Sequence, residues 1–343
     1  PDRENAYRFD GDWLELEPYD IKARIKLLGF LPVGAKQKFY RSKFGVTIRT
    51  EEGVFAIKTS APTTIKAAEQ WYLMNKATNF EEWRTALDMQ GIVSTNIVYA
   101  DVEDNIYYVS NGHFPKRNPA YDWKGILPGD TSATLWTEFF PIDSCAQVFN
   151  PSAGYVFNCN HTPFFSSGPG ENPDYQKVPL TMGYQAPGRL TNRAVRFDEL
   201  INEYDKISWD DFLRIKYDQA YSQKTKVYPK LEIIFEMDPQ SYPEIAESLR
   251  LLQSWDRVTD PKSEAASLFV LSLYRVQRLL KGRNSLQEGD ELTPALMADA
   301  VKWAEAHLME HFGSTKVAWG EVQQLSRGDQ SLPFGGAPDV LAA

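Results

Sequence analysis

The chain has 343 residues, 43% of them hydrophobic and 24% charged, which supplies a substantial core and excludes wholesale disorder. A net charge of −9 leaves no electrostatic footprint for nucleic acid. No apolar run approaches the roughly 20 residues that span a bilayer, so neither a nucleic-acid nor a membrane partner is expected.

The N-terminal half reads as short extended runs broken by turn residues. Pro1 stands where an initiator Met would be, and Gly335–Ala343 is a small apolar stretch without capping or strand-ending signals; both fit a segment of a longer chain. Ile21–Leu27 alternates apolar and basic residues, the period-2 mark of a half-exposed strand. Phe44–Ile48 and Val54–Ile57 flank Thr50-Glu51-Glu52-Gly53 and predict a hairpin. Two helices follow. Thr63–Lys76 puts Ala67, Trp71 and Met74 on one face, and Thr78-Asn79-Phe80-Glu81 predicts a capping box opening a helix to about Met89. After Gly91, strands Ile92–Ala100 and Ile106–Ser110 flank a turn at 101–105, with Tyr99, Tyr107 and Tyr108 available for cross-strand packing. Residues 111–175 are rich in Pro, Gly, Asn and aromatics and predict a long ordered loop region.

From about residue 190 the pattern turns helical, so the chain divides into a mostly sheet part over 1–189 and a mainly helical part over 190–343. Ser208 opens one helix, and Ser241, with Glu244 three residues on, opens another. Ser263–Lys281 carries Leu268, Leu271, Tyr274, Val276 and Leu279 at helical spacing, with Gly282 as its stop. Thr293-Pro294 caps a helix that ends near Gly313.

Few local motifs carry chemistry. His307-Leu308-Met309-Glu310-His311 fits H-x-x-E-H, in which two imidazoles one helical turn apart bind zinc and the Glu is the general base. A third ligand would have to come from the last 32 residues, where Glu321 is the only Glu; a solvated helix face explains the pattern more simply. His113 and His161 have no Ser or Cys partner in a recognisable motif. No nucleophile elbow, Walker or dinucleotide glycine pattern occurs. Cys145 and Cys159, with 13 residues between them, read equally as buried thiols or as one disulfide closing a loop worth about 3 kcal/mol.

The stretch Gln90–Arg117 differs in kind. Asn96, Tyr99-Ala100-Asp101, Asn105-Ile106, Tyr108, Gly112, Pro115 and Arg117 resemble the penicillin acylase family of N-terminal-nucleophile amide hydrolases, which includes acyl-homoserine-lactone acylases. Flanking segments resemble the family in the same order: Gln70-Trp71-Tyr72 through Trp83, Asp122 to Pro128, Gly154 to Pro163, and Trp319-Gly320 with Ser326-Arg327-Gly328. Together they cover nearly the whole chain.

The resemblance implies an α+β fold, part of an αββα sandwich, with the helical region added to it. It implies an N-acyl amide hydrolase acting on a small-molecule acyl amide: an N-terminal Ser, its own α-amino group serving as base through water, forms an acyl-enzyme that water then hydrolyses. The residue matching Asn96 donates its side-chain N–H to the oxyanion, and the residue matching Arg117 orients that Asn and the amine. No cofactor is implied beyond a structural calcium in the complete enzyme, for which no ligand set can be assigned here. Family members are exported to the periplasm, which favours a Cys145–Cys159 disulfide and a periplasmic or secreted location. Pro1 has no hydroxyl, and the sole Ser-Asn pair, Ser110-Asn111, lies inside the hairpin match. The nucleophile is therefore expected outside this chain, which would need the rest of the acylase (an α chain and further β-chain segments) and be inactive alone. The rival readings are the zinc peptidase using His307 and His311, and a non-catalytic binding module whose aromatics stack on sugars or peptides.

Overall fold

The computed structural model describes residues 5–27, 31–61, 64–188, 190–224, 232–280 and 291–341. The chain forms two compact units, one of residues 1–158 and 162–188, the other of 159–161 and 189–343. The expected α+β class holds: strands dominate the first unit and helices the second.

Unit 1 opens with a hairpin that the sequence reading missed, β1 (Ala6–Phe9) against β2 (Asp12–Glu15). Its two-residue turn is Asp10-Gly11, both left-handed at φ 49° and 92°, the geometry that Asp-Gly favours in a tight hairpin. A meander follows: β3 (Glu17–Leu27), β4 (Leu31–Ser42), β5 (Gly45–Thr50) and β6 (Gly53–Ile57), each antiparallel to its neighbour. The strand predicted at 21–27 and the hairpin around Thr50–Gly53 both form. Alternation on β3 does not bury its apolar partner, however; Ile21 stays exposed.

Helices α1 (Ala67–Lys76) and α2 (Phe80–Leu87) come next. Thr63 lies outside the described residues, and the predicted apolar face of α1 is rotated. Gln70 and Met74 are its buried residues, while Trp71 is half exposed. Gln70 earns its burial through hydrogen bonds: its amide donates to Leu87 O (3.4 Å) and its Oε1 accepts from Ile92 N (2.8 Å). This joins α1 to the end of α2 and to the segment leading into the next strand. The cap of α2 is shifted by one residue from the prediction. Asn79 is the N-cap and accepts from Glu82 N at 2.9 Å, and the Glu82 carboxylate accepts from Thr78 N at 2.8 Å.

The two helices cover one face of a sheet ordered β7 (Ser94–Ala100), β8 (Ile106–Gly112), β9 (Gln147–Phe149). Side chains alternate across a strand. Ile97, Tyr107 and Val109 accordingly join Met74, Trp83 and Leu87 in one apolar cluster, with Tyr99 packed against it. Residues 113–188 are largely loop and short 3₁₀ turns, apart from β9.

Unit 2 is built on α3 (Asn192–Ile201), α4 (Trp209–Lys216), α5 (Ala246–Gln253), α6 (Glu264–Leu279) and α7 (Pro294–Phe312). The caps fall where the sequence put them at Ser208, Ser263 and Thr293. At Ser241 a 3₁₀ turn (Pro243–Ile245) intervenes before α5. Gly313 ends α7 at φ 72°, the left-handed stop that glycine permits; Gly282 lies outside the described residues. Leu249, Leu252, Leu268, Phe269, Val276, Val301 and Leu308 form the core. Tyr274 and Leu279, predicted on the buried face of α6, are exposed instead.

Candidate active site

Asn96 sits in the middle of β7, an edge strand of its sheet. Its neighbours Ile97 and Tyr99 turn toward the helices, so alternation puts Asn96 and Val98 on the opposite face. In the β7–β8 register Asn96 opposes Ser110 and Val98 opposes Tyr108. Tyr108 is thus the diagonal same-face neighbour of Asn96, a separation that a long aromatic side chain bridges. Its hydroxyl donates to Asn96 Oδ1 at 3.0 Å and receives a 3.5 Å contact from Asn158 Nδ2. Burial pushes the Tyr108 phenol up to about 12, so the O–H stays protonated at neutral pH. The Asn96 amide nitrogen has no acceptor among the described residues, and Asn96 is exposed within this chain. A 190 Å³ cavity on the helix side of β7 touches residues 95–98 together with Trp71, Met74, Asn75 and Trp83.

The turn after β7 explains part of the motif structurally. Asp101 accepts from Asn105 N, Glu103 N, Asn105 Nδ2 and Tyr99 OH, all at 2.9–3.0 Å. Burial raises its carboxyl, but the hydrogen bonds from Asn105, Tyr99 and Glu103 prevail and hold it below its ordinary value. Asn105 in turn accepts from Asn150 Nδ2 at 3.0 Å. These residues fix the loop that joins β7 to β8. Ser110-Asn111 is likewise structural: Asn111 is buried and donates to Ile92 O at 2.8 Å.

Arg117 follows a bridge between Pro115 and Phe139. It donates to Thr181 O at 3.3 Å and lies 5.5 Å from the centre of the Trp123 ring. Its Nε is buried without a partner among the described residues, and burial lowers its affinity for the proton. No hydrogen bond joins it to Asn96.

The expected disulfide is absent. Cys145 and Cys159 are free, buried thiols, each enclosed by its own neighbours. Cys145 belongs to the apolar cluster under α1 and α2, whereas Cys159 donates its backbone N–H to His161 Nδ1 at 3.1 Å. Burial raises both thiols, that of Cys159 to about 11. His161 is buried, and the His113 ring lies 3.6 Å from that of Phe139. On α7, His307 stacks on Trp303 with centres 5.0 Å apart and meets His311 at 4.4 Å. Among the described residues no group of three His, Cys, Asp or Glu converges in a way that would hold a metal ion.

Two features escaped the sequence reading. Tyr108 was visible in the motif, but its role needs the hairpin register, which the five-residue turn would have supplied. A second cavity of 860 Å³ in unit 1, lined by Tyr7, Arg8, Trp13, Phe44, Arg49 and Phe55 among others, depends on packing between hairpins that no local pattern announces.

The family model for penicillin amidase matches residues 1–343. The chain is 36% identical to penicillin G acylase of Escherichia coli over 93 residues, which is 27% of this chain and 11% of that protein. It is 20% identical to acyl-homoserine lactone acylase PvdQ of Pseudomonas fluorescens over 99% of this chain and 48% of the relative. A solved thermostable penicillin G acylase from Alcaligenes faecalis superposes with a TM-score of 0.62 at 17% identity, covering 97% of this chain and 66% of the other; that likeness shows a shared fold. The chain therefore spans at most about half the length of these curated relatives. With its whole length matched by the family model and its fold shared with a penicillin G acylase, the chain belongs to the penicillin amidase family.

Proposed function

We propose that this chain is part of an N-acyl amide hydrolase that works through an acyl-enzyme on an N-terminal serine carried outside these 343 residues, and that Asn96 donates to the oxyanion. Membership of the penicillin amidase family supports an acylase-type amide hydrolase. The observation that carries the role of Asn96 is its carboxamide: Oδ1 is engaged by Tyr108 and the amide nitrogen has no acceptor among the described residues. As the serine oxygen attacks an amide carbonyl, negative charge builds on the carbonyl oxygen, and a fixed N–H donor lowers that barrier more than it stabilises the neutral substrate. The serine's own amine, acting through water, takes the hydroxyl proton and returns it to the leaving amine. Arg117 is proposed to support this machinery from the following segment, and the partners are the remaining parts of the acylase and a small acyl amide. The periplasm or the exterior is the proposed location; no helix among the described residues is long and apolar enough to cross a membrane.

The test expresses the complete reading frame, follows autoproteolysis by mass spectrometry and measures acyl-amide release. Cleavage exposing a Ser N-terminus is expected, with Asn96→Ala lowering kcat about 10²–10³-fold. Uncleaved, inactive protein, or full activity in Asn96→Ala, contradicts the reading.

A further inference from the structure

We propose that Tyr108 is a positioning residue for the oxyanion donor: its hydroxyl, held between Asn158 and Asn96, fixes the Asn96 carboxamide with its N–H bonds free for the substrate. The inference rests on the Asn96 reading above and extends it to a residue that touches no reacting atom.

An asparagine side chain alone is a poor oxyanion donor, because the amide rotates readily and offers its oxygen about as easily as its nitrogen. An oxygen facing a developing oxyanion would repel it. A donor therefore works only if something specifies which end is presented, and preorganisation of this kind separates a catalytic dipole from a solvating one. Here the specification comes from a hydroxyl on the adjacent strand. Tyr108 is fully buried at 0% exposure, so its ring has one position. Its oxygen takes the 3.5 Å contact from Asn158 Nδ2, and its O–H donates to Asn96 Oδ1 at 3.0 Å. With the Ser110 and Asn158 side chains donating to the phenol oxygen, the phenol proton is left for Asn96, and an O–H donor selects the oxygen of the carboxamide. The sheet register makes the contact obligatory: Tyr108 opposes Val98, two residues along from Asn96 on the same face.

The neighbouring tyrosine shows that this is more than aromatic filling. Tyr107, on the opposite face, also hydrogen-bonds, to Gln147 at 2.6 Å, but its ring belongs to the apolar cluster beneath α1 and α2. Tyr108 instead directs its hydroxyl to Asn96 Oδ1 on its own face.

The experiment uses the complete, processed enzyme. Tyr108→Phe is expected to lower kcat about tenfold with KM and Tm nearly unchanged, the loss of roughly one hydrogen bond's worth of orientation. Asn96→Ala lowers kcat further, and the double variant is no worse than Asn96→Ala alone, because the hydroxyl has nothing left to orient. Replacing Tyr108 with p-aminophenylalanine keeps a donor and recovers kcat to within about threefold of wild type; p-methoxyphenylalanine removes the donor and does not. That pair carries the comparison if Tyr108→Phe fails to fold. Full kcat in Tyr108→Phe beside a crippled Asn96→Ala overturns the positioning role and leaves the oxyanion reading standing. Additive losses in the double variant, or no recovery with p-aminophenylalanine, also overturn it. Full activity in Asn96→Ala would instead remove the reading on which the inference rests.

Discussion

At the scale of single residues, chemistry in this chain is governed by what lies beside each polar group. Cys145 and Cys159 illustrate it. The sequence left thiols and a disulfide open, and the implied export of the family favoured the bond. Both thiols are free and buried, and that burial raises their pKa. Native protein is expected to react slowly with a thiol reagent at pH 8 and to take up two labels per chain in denaturant, counted by mass spectrometry; one intact bridge would give none. The sign of the linkage follows. A thiol whose folded pKa is raised contributes stability that is fully present below its unfolded value of 9.0 and is lost as pH climbs through about 11 for Cys159. Urea midpoints at pH 8, 9.5 and 11 should fall in that order, and Cys159→Ala should flatten the fall. Asn96, too, was legible as a residue, since its motif is local. Its hydrogen-bond partner was not, because Tyr108 lies 12 residues away in the chain and reaches it only through the register.

At the scale of elements, caps and stops were the most legible features, because each satisfies orphan backbone groups with the side chain next to them. Ser208, Ser263 and Thr293 cap as their sequences predict. The cap of α2 moved from Thr78 to Asn79, since the asparagine oxygen reaches the Glu82 N–H while Glu82 closes on Thr78. Asn79→Ala is accordingly expected to cost about 1 kcal/mol and Asn79→Gly only a few tenths, measured by urea unfolding at constant m. Which face of a helix is buried was less legible. Trp71 looked like core and is half exposed, whereas polar Gln70 is fully buried, because its amide is satisfied there by the backbone of Leu87 and Ile92. The Trp319-Gly320 pair has a steric explanation. The Trp319 indole donates to Gly336 O at 2.6 Å, and a Cβ on Gly320 would lie 2.8 Å from Pro333 Cβ and 2.9 Å from Pro261 Cβ. Gly320→Ala must displace two prolines, and overpacking of this kind costs about 1–3 kcal/mol, readable as a lower thermal midpoint.

At the scale of the whole molecule, two hydrophobic centres carry the fold, one beneath the β7–β8–β9 sheet and one among the helices of unit 2. Phe269, 1% exposed, stacked on Phe235 and tilted against Trp255, anchors the second. Phe269→Ala is expected to cost about 3–5 kcal/mol, seen as loss of amide-exchange protection in α5, α6 and α7. The sequence by itself determined the class of fold, most of the longer helices, five of the strands including the β7–β8 hairpin, and the family. These follow from periodicity, caps and an ordered set of motifs, all properties of residues close together in the chain. Tertiary structure alone decided that the cysteines are buried free thiols, that Gln70 rather than Trp71 enters the core, and that Tyr108 grips Asn96. Each of those outcomes depends on which distant groups share a small volume, and a hydrogen bond or a desolvation energy acts over a few ångströms of space whatever the separation along the chain.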